Sequence, residues 1–174
     1  MANADKLTFL QDDGGRAAAG FKGETGDCVT RSIAIATGQS YADVYALVNQ
    51  FSAKERSGSR KRGKSSARTG VHKPTTRKIM DALGWKWTPT MQIGSGCKVH
   101  LHDGEVPMGR LVVSVSRHLT AMIDGVIHDT FDPRRDVHAC RPDDGGPLKS
   151  GEWRNPNGIW SIQRRCVYGY WSAP

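Results

Sequence analysis

Three residues that lie far apart in the sequence have the side chains of a thiol-dependent catalytic site. Cys28 follows Gly26 and Asp27 at the start of a predicted helix, whereas His118 and Asp129 fall in two later runs of strand-forming residues. A helix start stabilises a thiolate through its unpaired N–H groups and the helix dipole. A histidine can pair with that thiolate and carry its proton, and a carboxylate can orient the imidazole. These residue types in this order predict a Cys-His-Asp site that attacks a carbonyl carbon.

The helix that carries Cys28 is predicted to begin after Asp27 and to end at Gly38. Asp is a favoured N-cap residue, and Gly readily adopts the left-handed conformation that closes a helix. A second helix begins at Ser40 and Asp43, which form a start resembling a capping box. Its apolar residues recur at helical spacing and are expected to pack against the first helix: Tyr41, Val44, Leu47, Val48 and Phe51.

The rest of the chain predicts a third helix and then an antiparallel sheet. The helix starts near Pro74 and ends at Gly84, and strands are predicted at 85–88, 98–101, 111–116, 119–123, 126–131 and 166–171. Residues 1–27 are expected to form an extended arm, and residues 133–165 a long loop region. Because the helices precede the sheet, the predicted fold class is α+β in a single domain.

The two strands that carry His118 and Asp129 are joined by Asp124-Gly125, a strong signal for a two-residue hairpin turn. With this turn His118 and Asp129 become diagonal neighbours on the same face of the hairpin. Asp132 falls on the other face unless a bulge re-aims it. Alternation therefore favours Asp129 as the partner of His118. A buried structural Cys, a strand His and a turn Asp are the alternative interpretations of the three residues.

A Cys on the first turn of an N-terminal helix, followed by helices and a sheet carrying His and Asp, resembles the papain-like cysteine peptidase superfamily. The similarity is to its small bacterial and phage branch, which includes NlpC-type and bacteriocin-leader peptidases. Gly26-Asp27-Cys28, Ser116-Arg117-His118 and residues 129–133 carry the match, which covers roughly residues 20–132 and the last strand. The resemblance implies one papain-like domain over residues 1–174.

The same resemblance implies a hydrolase or acyl transferase that forms a Cys28 thioester, acts on a peptide or protein substrate and needs no cofactor. Peptidase or amidase activity is the leading prediction, and deamidase and transglutaminase-type chemistry would use the same residues. Many relatives place a Gln shortly before the Cys to complete the oxyanion hole. Here residues 21–24 contain no Gln, and Gln11 is distant in sequence.

A basic segment supports a different function. Residues 54–78 hold ten Lys and Arg residues and one acid, Glu55, although the whole chain has a net charge of only +8. Part of this segment, at about residues 52–72, is predicted to be an exposed flexible loop. The loop could contact nucleic-acid phosphates or an acidic partner, or it could be only a solvated surface. The candidate contact residues are Arg60, Lys61, Arg62, Lys64 and Arg68. Binding of nucleic acid or a partner without catalysis is the alternative function.

Four unevenly spaced cysteines do not predict a disulfide framework, so reduced thiols are expected. A zinc site is the alternative, and its ligands would come from Cys97, His100, His102, His138 and Cys140. Their spacing is irregular, and no metal is predicted.

The N-terminus lacks the basic and apolar regions of a signal peptide, and no apolar run approaches the roughly 18–20 residues of a membrane span. A cytoplasmic location is therefore expected, in the host cell if a phage encodes the protein.

Overall fold

Three helices and nine strands form the described part of the chain, which in this computed structural model comprises residues 6–56, 63–135, 137–149 and 152–174. The helices are α1 (Cys28–Thr37), α2 (Tyr41–Ala53) and α3 (Lys73–Ala82). The strands are β1 (Thr8–Gln11), β2 (Lys86–Pro89), β3 (Arg110–Val115), β4 (His118–Ile123), β5 (Val126–Asp129), β6 (Val137–Arg141), β7 (Glu152–Asn155), β8 (Gly158–Gln163) and β9 (Val167–Ser172). The predicted α+β class is confirmed.

The main sheet has six strands in the order β1-β5-β4-β3-β9-β2. Its strand pairs are antiparallel except for β1 and β5, which run parallel with Thr8 opposite Val126 and Gln11 opposite Asp129. The N-terminal arm predicted for residues 1–27 therefore contributes an edge strand next to the strand that carries Asp129.

Each face of the main sheet buries a separate hydrophobic cluster. On β3, Val112 belongs to the cluster beneath the helices, whereas Leu111 and Val113 belong to the other cluster, as the two-residue period of a strand requires. The helix-side cluster contains Val29, Ile33, Val44, Val48, Ile79, Met80, Ala121 and Trp171, among others. Helix α1 thus lies against the sheet with its N-terminus near the start of β4, and this arrangement brings Cys28 close to His118.

Helix α1 begins directly after Asp27 and ends before Gly38, as predicted, but the Asp27 side chain does not cap it. Gly38 has φ 74°, and its N–H donates to the Ala34 carbonyl at 2.9 Å. Asp27 occupies the N-cap position without making a side-chain capping bond. Its carboxylate instead accepts from buried Arg31 and Tyr41, so Asp27 links side chains rather than satisfying the helix start. Helix α2 begins as predicted, with Ser40 Oγ accepting from the Asp43 N–H.

The predicted hairpin is present in the predicted register. Ile123 lies opposite Val126, and Met122 lies opposite Ile127. The turn residues have positive φ angles, 47° for Asp124 and 79° for Gly125, and these angles match the right-handed twist of a two-stranded ribbon. Because one further residue in the loop would turn every side chain to the other face, this register decides that Asp129 approaches His118.

The prediction of a long loop over residues 133–165 is wrong. Strands β6, β8 and β7 form a second, antiparallel sheet, with Trp153 opposite Trp160. Many residues of these strands are polar and exposed, so the alternation of apolar and polar residues that identifies a strand is weak. An ion pair between Arg141 on β6 and Glu152 on β7, at 3.2 Å, joins the two outer strands across β8.

The flexible loop predicted at residues 52–72 is wrong for its two flanks, and residues 57–62 lie outside the described part of the chain. Helix α2 continues through Ala53, and Ser66 forms a bridge with Gly70. Ala67 is fully buried, and its carbonyl accepts from Thr30 Oγ1 at 2.8 Å. This tertiary contact holds the segment against α1, and the polar composition of the segment gave no indication of it.

The expectation of reduced thiols is wrong for one pair. Cys97 and Cys166 form a disulfide across a sequence separation of 69 residues, with Cα atoms 5.8 Å apart. Spacing in the sequence could not reveal this pair, because the fold alone brings the two residues together. The strand predicted at 98–101 is reduced to a single bridge between His100 and Cys166. Cys28 and Cys140 remain free. Among the described residues, no helix is long and apolar enough to cross a membrane.

Candidate active site

Cys28 is the first residue of α1, and the chain that leads to it passes close to the backbone of residues 68 and 69 at Gly26. The Gly26 N–H donates to the Arg68 carbonyl at 2.9 Å, and a Cβ on Gly26 would lie 3.2 Å from the Thr69 carbonyl oxygen. A glycine here lets the backbone pass tightly beneath the basic segment. The thiol is thereby positioned at the helix start with part of its surface exposed.

The surroundings of Cys28 favour a thiolate. Burial opposes ionisation, but a hydrogen bond from His118, a backbone hydrogen bond from Leu119 and the positive charges of His118 and Arg31 outweigh it and lower the thiol pKa. This balance is expected for a nucleophilic cysteine, because the thiolate is the reacting form.

His118 lies between the thiol and a carboxylate. Its Nε2 is 2.6 Å from Asp129 Oδ2, which leaves Nδ1 as the ring nitrogen for the thiol. Burial lowers the His118 pKa, but the bonds and charges of Asp129 and Cys28 dominate and raise it to about 9. At neutral pH the imidazole is therefore protonated, and its positive charge favours a thiolate on one side and pairs with a carboxylate on the other.

Asp129, rather than Asp132, is the partner of His118, as strand alternation predicted. Burial opposes its ionisation, yet the bonds from His118, Thr120 and the Thr130 N–H lower the Asp129 pKa. Asp132 instead pairs with Arg134 at 2.5 Å. Asp129 is 1% exposed, so its negative charge acts on its buried partners with little screening by water.

A buried cation that was not predicted from the sequence joins helix α1 to the hairpin. Arg31, on α1, donates from Nη1 to Asp27 at 2.6 Å and from Nη2 to Asp129 Oδ1 at 3.1 Å. Asp27 also accepts from Tyr41 Oη at 2.6 Å, and proximity to that carboxylate adds to burial in raising the Tyr41 pKa. An Arg four residues after an Asp, within an otherwise apolar helix, was the available signal. The resulting chain runs from Tyr41 through Asp27, Arg31, Asp129 and His118 to Cys28.

Phe131 covers the imidazole from one side. The two ring centroids are 5.0 Å apart, with an angle of 37° between the planes. A ring that packs on the histidine restricts its rotation and limits the access of water to the His118–Asp129 pair.

Cys28 and His118 line a cleft of about 820 Å³. Its apolar walls come from two helices, four strands and the segment before α3, and they include Val29, Val71, Pro74, Val115, Leu119, Trp87 and Trp171. Gln11 lies on β1 and is not among the lining residues, so the structure does not place it as an oxyanion donor. The backbone N–H of Cys28, at the start of the helix, is the donor available from the nucleophile itself.

The five candidate nucleic-acid contacts are not brought together by any described contact. Arg60, Lys61 and Arg62 lie outside the described residues. Lys64 donates to the Ala53 carbonyl at 3.2 Å, and Arg68 donates to the carbonyls of residues 22 and 24. Three other cations of the same basic segment, Lys73, Arg77 and Lys78, line the cleft.

The zinc alternative loses its first ligand, because Cys97 forms the disulfide with Cys166. His100 Nδ1 lies 3.0 Å from Glu105 Oε2, and His138 packs its ring against Trp153. Within the described ranges, no group of three or more His, Cys, Asp or Glu residues could hold a metal ion.

Comparison of the chain with protein-family models, with curated proteins and with solved structures gives no match. Any functional conclusion therefore depends on the site itself.

Proposed function

We propose that the protein is a cysteine-dependent hydrolase or acyl transferase of papain-like type that acts through a Cys28 thioester. The single observation that supports this most is the convergence, from one helix and one hairpin, of a thiol at a helix start with a buried His-Asp pair. The Cys28 thiol alone and the His118–Asp129 pair alone each have a structural explanation, but Cys28 and His118 line the same open cleft. Perturbed titratable groups in a cleft are typical of catalytic sites.

The first half-reaction transfers an acyl group to sulfur. The Cys28 thiolate attacks the carbonyl carbon of an amide, and the carbonyl oxygen becomes an oxyanion near the Cys28 N–H. As the intermediate collapses, the C–N bond breaks and protonated His118 gives its proton to the departing amine. The product is a thioester on Cys28 and a neutral imidazole that Asp129 keeps in position.

The second half-reaction returns the enzyme to its starting state. Neutral His118 takes a proton from an incoming water or amine, which attacks the thioester carbon. The C–S bond then breaks and Cys28 leaves as a thiolate. With water the outcome is hydrolysis, and with an amine it is acyl transfer. Peptide and isopeptide bonds are the leading substrates. The Cys97–Cys166 disulfide favours an oxidising compartment over the cytoplasm that was expected from the sequence.

Acylation by p-nitrophenyl acetate tests this proposal, because the ester reports thioester formation without knowledge of the natural substrate. We expect a burst of one nitrophenol released per protein molecule. Mass spectrometry should locate the acetyl group on Cys28 and then show its loss as the thioester is hydrolysed. Cys28→Ala should abolish the burst, and Cys140→Ser should preserve it. In His118→Ala, acylation of Cys28 and its reversal should both slow. Equal acetylation of Cys28 and Cys140 would overturn the proposal.

Binding of nucleic acid or an acidic partner through residues 54–78 is the second candidate function. It is favoured by the exposed cations Lys73, Arg77 and Lys78, which form no ion pair with the described residues. Affinity for a single-stranded oligonucleotide, measured against salt, tests it. Normal binding by Cys28→Ala and loss of binding in a variant neutralised at these three positions would support it.

A further inference from the structure

We propose that the cleft selects acyl substrates that carry carboxylates, that is, acidic peptides, through a rim of four cations. This inference rests on the proposed function and names its substrate class. The rim consists of Lys73, Arg77 and Lys78 on α3 and Arg117 in the turn between β3 and β4. One acid, Asp81, lines the same cleft, so the rim has an excess of positive charge.

The rim cations are exposed, and two of them are held over aromatic walls of the cleft. Lys73 Nζ lies 5.7 Å from the centre of the Tyr168 ring, and the Arg77 guanidinium lies 5.7 Å from the Trp87 ring. None of the four forms an ion pair with another described residue. A cation that rests on a ring keeps its charge available to a ligand.

Arg117 supplies an independent observation. Its φ is 55°, in the left-handed region that favours glycine, and it is the residue immediately before His118. A long side chain in this conformation costs free energy. The turn would form more easily with glycine, so its strain points to a role for the Arg117 side chain at the mouth of the cleft.

The lining of the cleft suits a peptide better than a nucleic acid. The cations surround a thiol whose chemistry needs an acyl carbon, and a nucleic-acid backbone has none. Trp171 is 6% exposed and packs against Trp87 with ring centroids 4.3 Å apart. Because the two rings pack against each other, they form an apolar wall that suits aliphatic groups. The cations that attract carboxylates line the same cleft.

Two alkylating peptides of equal size test this inference, N-chloroacetyl-Glu-Glu-Ala-amide and N-chloroacetyl-Gln-Gln-Ala-amide. In each peptide the cysteine sulfur forms a bond to the carbon that carries chlorine, and chloride leaves. The free, exposed Cys140 serves as the reference thiol on the same molecule. We expect the Glu peptide to alkylate Cys28 about tenfold faster than the Gln peptide at low salt, and the two peptides to react equally at Cys140.

Rim variants show whether these cations are the cause. Arg77→Met combined with Arg117→Gly should reduce the Glu preference at Cys28 to about twofold or less, where the preference is the ratio of the two peptides' rates measured on the same variant. Arg117→Gly removes the charge and also relieves the strained φ, so loss of folding should not confuse the result. Lys98→Met, an exposed cation that does not line the cleft, should keep the full preference.

The outcomes separate the two proposals. If Cys28 reacts with neutral iodoacetamide no faster than Cys140, the proposed function fails. If Cys28 is the faster thiol but shows no Glu preference, or a preference that the rim variants leave intact, the acidic-substrate inference fails alone. Protection of Cys28 by oligothymidylate at concentrations where a non-reactive Glu-Glu-Ala peptide gives none would also overturn it, in favour of a nucleic-acid ligand.

Discussion

At the scale of single residues, the site depends on how the proton is shared between Cys28 and His118. The thiol pKa is lowered and the imidazole pKa is raised to about 9, and both shifts widen the pH range over which a thiolate and an imidazolium coexist. A thiolate paired with an imidazolium is both a nucleophile and a proton donor, as amide cleavage requires.

The pH dependence of Cys28 alkylation follows from the direction of these shifts. Because the thiolate persists below the ordinary pKa of cysteine, iodoacetamide should modify Cys28 at pH 6 at least about tenfold faster than Cys140. As pH rises through about 9, His118 loses its proton, and acyl transfer that needs this proton should decline. Rates of labelling from pH 5 to 10, measured by mass spectrometry at each cysteine, check the first expectation, and the rate of amide cleavage over the same range checks the second.

His118→Ala should remove the advantage of Cys28. Without the imidazolium, burial dominates and the thiol pKa rises, so labelling at pH 6 should fall about tenfold or more. Phe131→Leu is a matched control, because it alters the contact with the ring and keeps the imidazole. Unchanged labelling of Cys28 in His118→Ala would contradict the ion pair.

Arg31 connects residues on two elements, and its removal is expected to be costly. Arg31→Met would leave the buried carboxylates of Asp27 and Asp129 without their shared cation, so we expect a loss of about 3–5 kcal/mol in the free energy of unfolding. Urea denaturation measures it. Arg31→Lys keeps the charge but cannot form both bonds in the same fork geometry, so its loss should be smaller.

A comparison with an exposed ion pair controls for the loss of an arginine. Arg154 pairs with Asp143 in the second sheet, and its side chain is 41% exposed. Arg154→Met should change stability by less than about 1 kcal/mol. If both Arg variants have the same small effect, Arg31 does not hold the helix to the hairpin.

At the scale of elements, the hairpin of β4 and β5 determines which carboxylate reaches the histidine. Gly125 has φ 79°, so Gly125→Ala should cost about 1 kcal/mol in stability. Asp124→Asn should be nearly neutral, because Asn suits the same turn. Urea denaturation together with the Cys28 alkylation rate checks this. If the turn holds the register, alkylation at pH 6 should remain fast in Asp124→Asn.

At the scale of the whole molecule, the Cys97–Cys166 disulfide joins the segment before β3 to the start of β9. It closes a separation of 69 residues, so the double variant Cys97→Ser with Cys166→Ser should lose about 4 kcal/mol in the free energy of unfolding. Cys140→Ser should have little effect, since that thiol is exposed and free. Disulfides persist mainly in oxidising compartments. Because one pair of the four cysteines is bonded, titration of the unfolded, unreduced protein should detect two thiols. Four thiols would contradict the disulfide.

Local signals determined much of the secondary structure and the chemistry of the site. Helix caps such as Ser40 and Gly38, and the Asp124-Gly125 turn, act within a few residues, so they can be recognised without knowledge of the fold. Strand alternation then placed His118 and Asp129 on one face, because a period of two residues follows from backbone geometry alone. The contact between them follows from these local rules.

Only the tertiary structure decided which distant groups complete the site. Arg31 reaches Asp129 across 98 positions, Cys97 meets Cys166, and the cations of α3 line the same cleft as Cys28. These contacts depend on how α1 and α3 pack against the sheet, and no periodicity within a segment records that packing. The charge of residues 54–78 was visible in the sequence, but the position of three of its cations in the same cleft as the Cys28 thiol was not. For that reason the sequence by itself determined a candidate Cys-His-Asp chemistry, whereas the fold decided its surroundings.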